Sequence, residues 1–439
     1  MLAPLIAAFS GVSTAQDSTI THPRRIAVFA PHPDDEVLGP GAAIKRAVDQ
    51  GDSVFVFVMT TGDSNEKNCK VVFGHRCSAE DLMEYGRRRQ EESRRALLQL
   101  GVPPNQVSFL GYPDHLLADL FQTYGADSCR LGISHPIPTG AVRTYCRNFF
   151  GDSTSVEYCA NNVFHDVKAA LTAVRPDVVY VTDLHDSHPD HAATGAFVMS
   201  ALADLATDSS LWKPSNAEVR AFIIHFRKVC GGKERSWYPF PEGDHADFDL
   251  IEPSYQKTLS GVNVLQCLFD HVGKPSGTLT LTSDLKAAKK SAIGEYRTQL
   301  TTDVDYMASF VRNNEEWWSH VGRDIANPPD GYLTLTAVGP VELAIVDPNG
   351  RKLDVLENDI PDGLYLKVKD KSGSGLNRVI LIPDPLRGVY TISTTGATGS
   401  GSTDRYSLYA SHRGRQTWIA KGASLRVRAT GHYVFETTP

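Results

Sequence analysis

"RRIAVFAPHPDDEVLGPG" (Arg24–Gly41) decides the fold. Ile26–Ala30 is an apolar run of strand length, too short for a buried helix and suited to a strand covered on both faces. It stops at Pro31, and a histidine, a second proline and three consecutive acids follow. A proline biases the residue before it away from helix, which sets His32 just ahead of a turn. Acids are favoured at a helix start, so a helix is expected to open there. Yet Asp34, Asp35 and Glu36 repel one another. Their crowding beside His32 calls for an offset: a metal ion, or the plain alternative of a solvated helix start.

Outward from this stretch the same strand, turn and helix pattern recurs. "SVFVFVMTTGD" (Ser53–Asp63), "QVSFLGYPD" (Gln106–Asp114), "DVVYVTDLHD" (Asp177–Asp186) and "VRAFIIHF" (Val219–Phe226) read as further strands. Helical segments separate them. "VLGPGAAIKRAVDQG" is expected as one helix closed at Gly51. "SAEDLMEYGRRRQEESRRALLQLG" (Ser78–Gly101) has Ser78 and Asp81 placed for a capping box. "VFHDVKAALTAVRP", "HPDHAATGAFVMSALADLA" and "LKAAKKSAIGEYRTQL" (Leu285–Leu300) complete the set. Strands alternating with helices predict an α/β fold, a Rossmann-like, mostly parallel sheet with helices on both faces. From Gly331 onward short strands and turns predict a separate all-β region, a β-sandwich. The expected division is 1–20 as a leader or tail, 21–328 as the α/β domain and 329–439 as the β-sandwich.

Ligands of open parallel sheets bind beyond the carboxyl ends of the strands. His32–Glu36, Thr60–Asp63, Asp114–His115 and His185–His191 all fall there, which argues that they form one site. His32 and Asp35, and likewise His188 and His191, stand three apart and can aim at one point from the first turn of a helix. Of the four His-Pro pairs, at His22, His32, His135 and His188, only those at His32 and His188 continue as His-Pro-Asp. His32, Asp35 and His191 supply N, O and N ligands, the three-ligand pattern of a catalytic zinc site. Such a site polarises a carbonyl and makes water a nucleophile near neutral pH. Asp34, beside Asp35 but pointing elsewhere, is placed to take a proton. His188 is placed to stabilise an oxyanion and protonate a leaving amine, with Asp190 to orient it. Together these parts describe metal-assisted amide hydrolysis.

At these residues the chain resembles a known family. "PHPDDEVLGPG" and "HPDHAATG" are similar to the two signature motifs of the PIG-L/LmbE-like deacetylases, and the likeness covers about Arg24 to Leu300. It extends to "TTGD", "RRRQEESRRALLQLGV", "SFLGYPD" and "EYRTQL". The resemblance implies a metal-dependent hydrolase, usually with zinc, that removes acetyl groups from N-acetylglucosamine-type amino sugars. It implies His32, Asp35 and His191 as ligands, Asp34 as general base, and His188 as stabiliser or acid tuned by Asp190. Arg89 and Asp114 match positions that contact the sugar, although Arg87, Arg88 and Arg89 are consecutive and any of them fits. The chain departs from the family at Gly39-Pro40-Gly41-Ala42, where a glycine-rich turn is usual, and at His115, where glycine is common.

Composition narrows the function. Lys and Arg number 44 against 51 Asp and Glu, a formal charge of −7 that leaves no basic footprint for nucleic acid. No apolar run is long enough to span a membrane. The start, "MLAPLIAAFSGVSTAQ", resembles a signal-peptide apolar region with cleavage before Gln16, without a basic residue near Met1. The seven cysteines include no CxxC. Five lie in two polar insertions, Gly62–Cys77 and Gly125–Cys159, where disulfides of an exported protein would restrain long loops. The expected protein is a secreted zinc deacetylase (Fe2+ or another divalent ion being able to fill the same ligands) acting on a small or polymeric N-acetylated sugar. Two other readings are weighed: an Fe(II) oxygenase using the same two-His, one-carboxylate set, and a non-catalytic carbohydrate-binding protein in which the C-terminal β-region does the work. His185 and Asp186 are expected at the rim or behind the ligands, His225 packed, Trp317-Trp318 in core or interdomain contacts, and Lys286–Lys290 on a solvated helix face.

Overall fold

The structure, a computed structural model, describes residues 23–121, 137–184, 186–207, 217–230, 233–237, 275–319 and, with short interruptions, 333–437. The leader-like start, His185, Cys129 and Cys267 lie outside the described residues. Strands β1 (Arg25–Ala30), β2 (Ser53–Thr60), β3 (Val107–Tyr112), β4 (Val178–Thr182) and β5 (Glu218–Phe222) form a five-stranded sheet in the order β3-β2-β1-β4-β5. Every pairing in it is parallel. The α/β expectation is met, and its reason is visible along β1. Ala27 and Phe29 enter the core on one face with helices α6 (Ala160–Val174) and α7 (Pro189–Thr207). Ile26 and Val28 enter the other with α2 (Gly41–Asp49) and α4 (Ala79–Gln99). A strand buried on both faces must be apolar at every position. Two antiparallel strand pairs follow in the chain, β6 (Phe226–Cys230) with β7 (Lys233–Trp237) and β8 (Gly277–Thr280) with β9 (Asn314–Trp317).

The strand order reverses at β1. The chain leaves β1 for β2 on one side and reaches β4 on the other, so the loops after β1 and β4 flank one crevice. That switch point is where open α/β sheets bind ligands.

The helix expected from Val37 to Gly51 is interrupted. A short turn, α1 (Asp35–Leu38), is separated from α2 by Gly39 and Pro40. Gly39 has no room for a side chain, since a Cβ there would lie 2.4 Å from the Phe222 ring. Pro40 cannot continue the helix hydrogen-bond ladder. Leu285–Leu300 is divided as well, into helices Ser283–Ile293 and Arg297–Leu300 around Gly294. The Ser78/Asp81 capping box is present, with both reciprocal bonds made.

Lys289 corrects the reading of Lys286–Lys290 as a solvated face. It is buried, and its ammonium donates to Leu38 O at 2.8 Å, Gly39 O at 3.0 Å and Glu315 Oε1 at 2.6 Å. Glu315, on β9, in turn accepts from the Ala42 and Ala43 N–H groups at the start of α2. One buried ion pair thus serves the orphan carbonyls at the end of α1 and the orphan amides of α2. Burial pulls the lysine below its ordinary range while Glu315 works to raise it.

In the C-terminal part, strands β13 (Leu364–Lys369), β14 (Leu376–Ile382), β10 (Leu333–Val338), β16 (Arg405–His412) and β17 (Arg415–Ser424) form one antiparallel sheet. Strands β12 (Lys352–Asp354), β11 (Val341–Val346), β15 (Gly388–Gly396) and β18 (Gly431–Thr437) form another. Residues of both sheets share a single core, as expected of a β-sandwich. Strand β14 serves two cores by simple alternation. Ile380 and Ile382 face the sandwich, and Val379 and Leu381 join the core that contains α7. Trp318 is buried and Trp317 is half-buried beneath the Arg220 guanidinium, so both tryptophans are packing residues.

Replacing Lys289 with Met leaves Glu315 buried without its cation. Such a loss costs about 3–5 kcal/mol, and a melt by circular dichroism should show it as a lowered Tm. Lys289→Met combined with Glu315→Gln should recover part of the loss. An unchanged Tm in the single variant would contradict the pinning role.

Candidate active site

The turn after β1 is built from its own carbonyls and carboxylates. Asp35 N donates to His32 O, and Val37 N and Leu38 N donate to Asp34 O. Asp34 carries a backbone φ of 151°, a region that side-chain-bearing residues rarely occupy; such strain costs on the order of 1–3 kcal/mol and is held by its surroundings. Arg89 is what holds it. Its guanidinium donates to Asp34 Oδ2 at 2.9 Å, Pro33 O at 3.0 Å and Gly62 O at 2.7 Å. Gly62 permits this approach, because a Cβ there would lie 2.3 Å from Arg89 Nη1. Helix α4 buries Leu82, Tyr85, Gly86, Arg89, Gln90 and Ser93, a 3.6-residue stripe. Of the three consecutive arginines, only Arg89 is therefore inward, its side chain 6% exposed against 53% and 47% for Arg87 and Arg88.

Three donor atoms converge beside this turn. His32 Nδ1, Asp35 Oδ2 and His191 Nε2 are mutually 3.1 Å apart. That is close to the roughly 3.3–3.6 Å edge of a tetrahedron with bonds of about 2.0–2.2 Å. Each imidazole uses its other nitrogen on a carboxylate behind it. His191 Nδ1 meets Asp186 Oδ2 at 3.1 Å, and His32 Nε2 meets Asp114 Oδ1 at 3.0 Å and Asp190 Oδ2 at 3.2 Å. These partners assign the tautomers, leaving a lone pair of each ring aimed at the shared point, as metal-ligating histidines are held. His188 belongs to the same cluster, with ring atoms of His32, His188 and His191 within 4.8 Å; His32, Asp114 and Asp190 form a second close group around the opposite nitrogen of His32.

The electrostatics also call for a cation. Asp34, Asp35, Asp63, Asp114, Asp186 and Asp190 are all buried here. Burial pushes the Asp34 carboxyl up to about 7 despite Arg89, which pulls it down. Burial would likewise raise Asp35, but His191 and His32 hold it well below the usual carboxylate range. For His191, burial works downward and Asp186 and Asp35 outweigh it, lifting the ring to about 9. An imidazole that attracts a proton this strongly at a three-donor point is one that a divalent cation can satisfy instead. The residues present fit a bound metal.

The structure places other expected residues differently. Asp190 does not address His188 through its carboxylate. That group accepts from His115 N at 2.6 Å, Leu117 N at 2.9 Å and His32 Nε2, because α5 (Leu117–Phe121) begins directly above it. Only the backbone N–H of Asp190 reaches His188, donating to Nδ1 at 3.2 Å. This leaves the hydrogen of a neutral His188 on Nε2. Burial, with His32 and His191 nearby, holds His188 well below its ordinary range. Glu36 turns inward, accepting from Tyr296 OH at 2.7 Å, from Asp34 N at 3.0 Å and from Ser93 Oγ. Asp186 accepts from Ile224 N, His225 N and His188 N as well as from His191, which makes it the brace for the second motif.

A cavity of about 370 Å³ opens over this cluster. It is lined by His32, Asp34, Asp35, Arg89, Asp114, His115 and His188, and by further residues. His225, expected to be packed, lies on the cavity wall with its ring 4.8 Å from His191 and stacked on Tyr306. Its place at the carboxyl end of β5 was the available signal, the same one that marked the other clusters. Asn65, Gln299, Asp303 and Tyr306 also line the cavity. Only Gln299 fell inside a quoted motif, "EYRTQL".

Of the cysteines, Cys69 and Cys77 form a disulfide across the first insertion. Cys159 is also disulfide-bonded, and Cys146 is a free thiol. No helix among the described residues is long and apolar enough to cross a membrane.

Comparison with known proteins adds the family. Residues 27–202 match the family PIG-L, described as GlcNAc-PI de-N-acetylase. No curated protein sequence matches the chain. Among solved structures, the chain is similar to N,N'-diacetylchitobiose deacetylase from Pyrococcus horikoshii, at 16% identity and a TM-score of 0.39, over 67% of this chain and 83% of that one. It is similar to the conserved protein TT1542 from Thermus thermophilus, at 19% and 0.37, over 68% and 95%. It is also similar to GalB, the 4-carboxy-2-hydroxymuconate hydratase of Pseudomonas putida KT2440, at 14% and 0.38, over 69% and 98%. Residues 27–202, which hold both histidine motifs, are thus similar to the PIG-L family, a family of hydrolytic deacetylases acting on N-acetyl amides.

Proposed function

We propose that this protein is an exported, zinc-dependent deacetylase that hydrolyses the N-acetyl group of an N-acetylglucosamine-type amino sugar or glycoconjugate. The observation that carries the reading is the convergence of His32 Nδ1, Asp35 Oδ2 and His191 Nε2 at 3.1 Å spacings, with Asp34 and His188 lining the same cavity. The family match supports the amide and the sugar class. The N, O, N donor set supports zinc. The Cys69–Cys77 disulfide and the signal-like start support export.

When bound by His32, Asp35 and His191, zinc would supply Lewis acidity toward the amide carbonyl and acidify a water. The remaining work belongs to the chain. Asp34, aimed by Arg89, accepts the proton of the attacking water and returns it to the amide nitrogen as the C–N bond breaks, releasing acetate and a free amine. His188, with its Nδ1 occupied by the Asp190 N–H, presents Nε2–H to the oxygen on which negative charge develops. Arg89 and Asp114 line the cavity that would receive the sugar.

Asp34→Asn retains the shape of the side chain and a residue type that tolerates positive φ. It should lower kcat on N-acetylglucosamine roughly 10²- to 10⁴-fold, with zinc content by atomic absorption unchanged. Activity equal to the native protein would remove Asp34 from the base role.

His191→Ala should lose zinc outright. Asp186→Asn should weaken zinc affinity by about 10- to 100-fold, as loss of a carboxylate behind a ligating imidazole does. Competition with a chromogenic chelator measures both; native affinity in His191→Ala would refute the assigned ligand set, and native affinity in Asp186→Asn would refute its role as the brace of His191.

A further inference from the structure

Asp303 lines the cavity but has no part in the chemistry proposed above. Its Oδ2 accepts from Asn68 Nδ2 at 2.7 Å, with Thr302 Oγ1 2.9 Å away. Its Oδ1 has Lys67 Nζ at 3.7 Å, beyond hydrogen-bond reach, and that lysine side chain is 73% exposed. Asn68 is fully buried and is itself fixed: its Nδ2 also donates to Gln299 Oε1 at 3.2 Å, and its Oδ1 accepts from Thr302 Oγ1. It sits on α3 (Glu66–Phe73), whose N-terminus is capped by Asn65, another cavity residue. The neighbouring Cys69 ties α3 to Cys77.

The result is a carboxylate held by one oxygen, with the other available at the cavity wall. A fixed carboxylate oxygen is an acceptor suited to hydroxyl donors, and hydrogen bonds to a charged acceptor are the stronger kind. Asn65 and Gln299 beside it add amide groups able to donate and accept. We infer that Asp303 is a specificity-determining residue that accepts hydrogen bonds from the hydroxyls of the substrate's sugar, with Asn68 as the residue that positions it. The inference rests on the deacetylase reading. It goes further in assigning the disulfide-stapled insertion around α3 a task, which is to fix a polar wall that recognises a polyhydroxylated substrate.

The test is steady-state kinetics of the full zinc-loaded chain on N-acetylglucosamine, with acetate release as readout. Asp303→Ala should raise KM roughly ten- to a hundredfold, with kcat within about twofold and zinc content unchanged. Asp303→Asn, which retains an acceptor oxygen, should fall between. The Asp303 side chain is 31% exposed, and an unchanged Tm confirms that the fold is intact. Asn68→Leu should raise KM as well, and adding it to Asp303→Ala should raise KM no further, because both changes remove one interaction. A native KM in Asp303→Ala, or a loss confined to kcat, overturns the inference while leaving the deacetylase reading in place. Absence of acetate release by the native protein from N-acetylglucosamine, N-acetylglucosamine oligomers and N-acetylglucosaminyl lipids overturns both.

Discussion

The structure is organised around a concentration of buried negative charge. Asp34, Asp35, Asp63, Asp114, Asp186 and Asp190 are gathered at the carboxyl end of one parallel sheet, each nearly withdrawn from water. Carboxylates in that position are tolerated only when each is paired or hydrogen-bonded. The surroundings are committed to this: backbone amides of His115 and Leu117 on Asp190, of Ile224, His225 and His188 on Asp186 and of Ser64 on Asp114, with the Tyr145 hydroxyl on Asp63. What backbone donors leave unbalanced falls on Arg89, the two imidazoles and the cation that their geometry accommodates. Loops drawn from every strand end of the sheet therefore serve one electrostatic problem, and solving it shapes the cavity.

A second buried pair keeps the first turn in place. Lys289 and Glu315 come from outside the five-stranded sheet, yet between them they close the carbonyls of α1 and the amides of α2. The strained Asp34 backbone can persist because the turn is held from behind by this pair and from the front by Arg89. The β-sandwich contributes on the other face. Val379 and Leu381 pack into the core containing α7, the helix whose first turn carries Asp190 and His191. We propose that this region acts as a buttress of the α/β part as well as an accessory to it.

Much of this was legible residue by residue. The apolar strands, the His-Pro-Asp repeats and their positions at strand ends are local patterns, and local patterns survive in sequence. The paired motifs were enough to predict which three side chains would meet. What was not legible involves a choice of direction. Nothing in "RRR" says which arginine turns inward until the helix phase is set by Leu82, Tyr85 and Ser93. Nothing in "KAAKK" says that Lys289 alone is buried, because its partner Glu315 lies beyond a second helix. Asp190 was expected to serve His188 because the two are neighbours in sequence, but the competing amides of His115 and Leu117 lie 73 to 75 residues away.

The sequence by itself determined the parallel α/β sheet, the β-rich C-terminal region and the donor types that converge, because hydrophobic period and motif spacing are one-dimensional properties. The tertiary structure decided which carboxylate braces which imidazole, that His225, Asp303 and Tyr306 share the cavity, and that β14 joins two cores. Those outcomes depend on competition among groups distant in the chain for the same buried hydrogen bonds and apolar surface. That competition is settled only when the sheet order brings the loops after β1 and β4 to the two sides of one crevice.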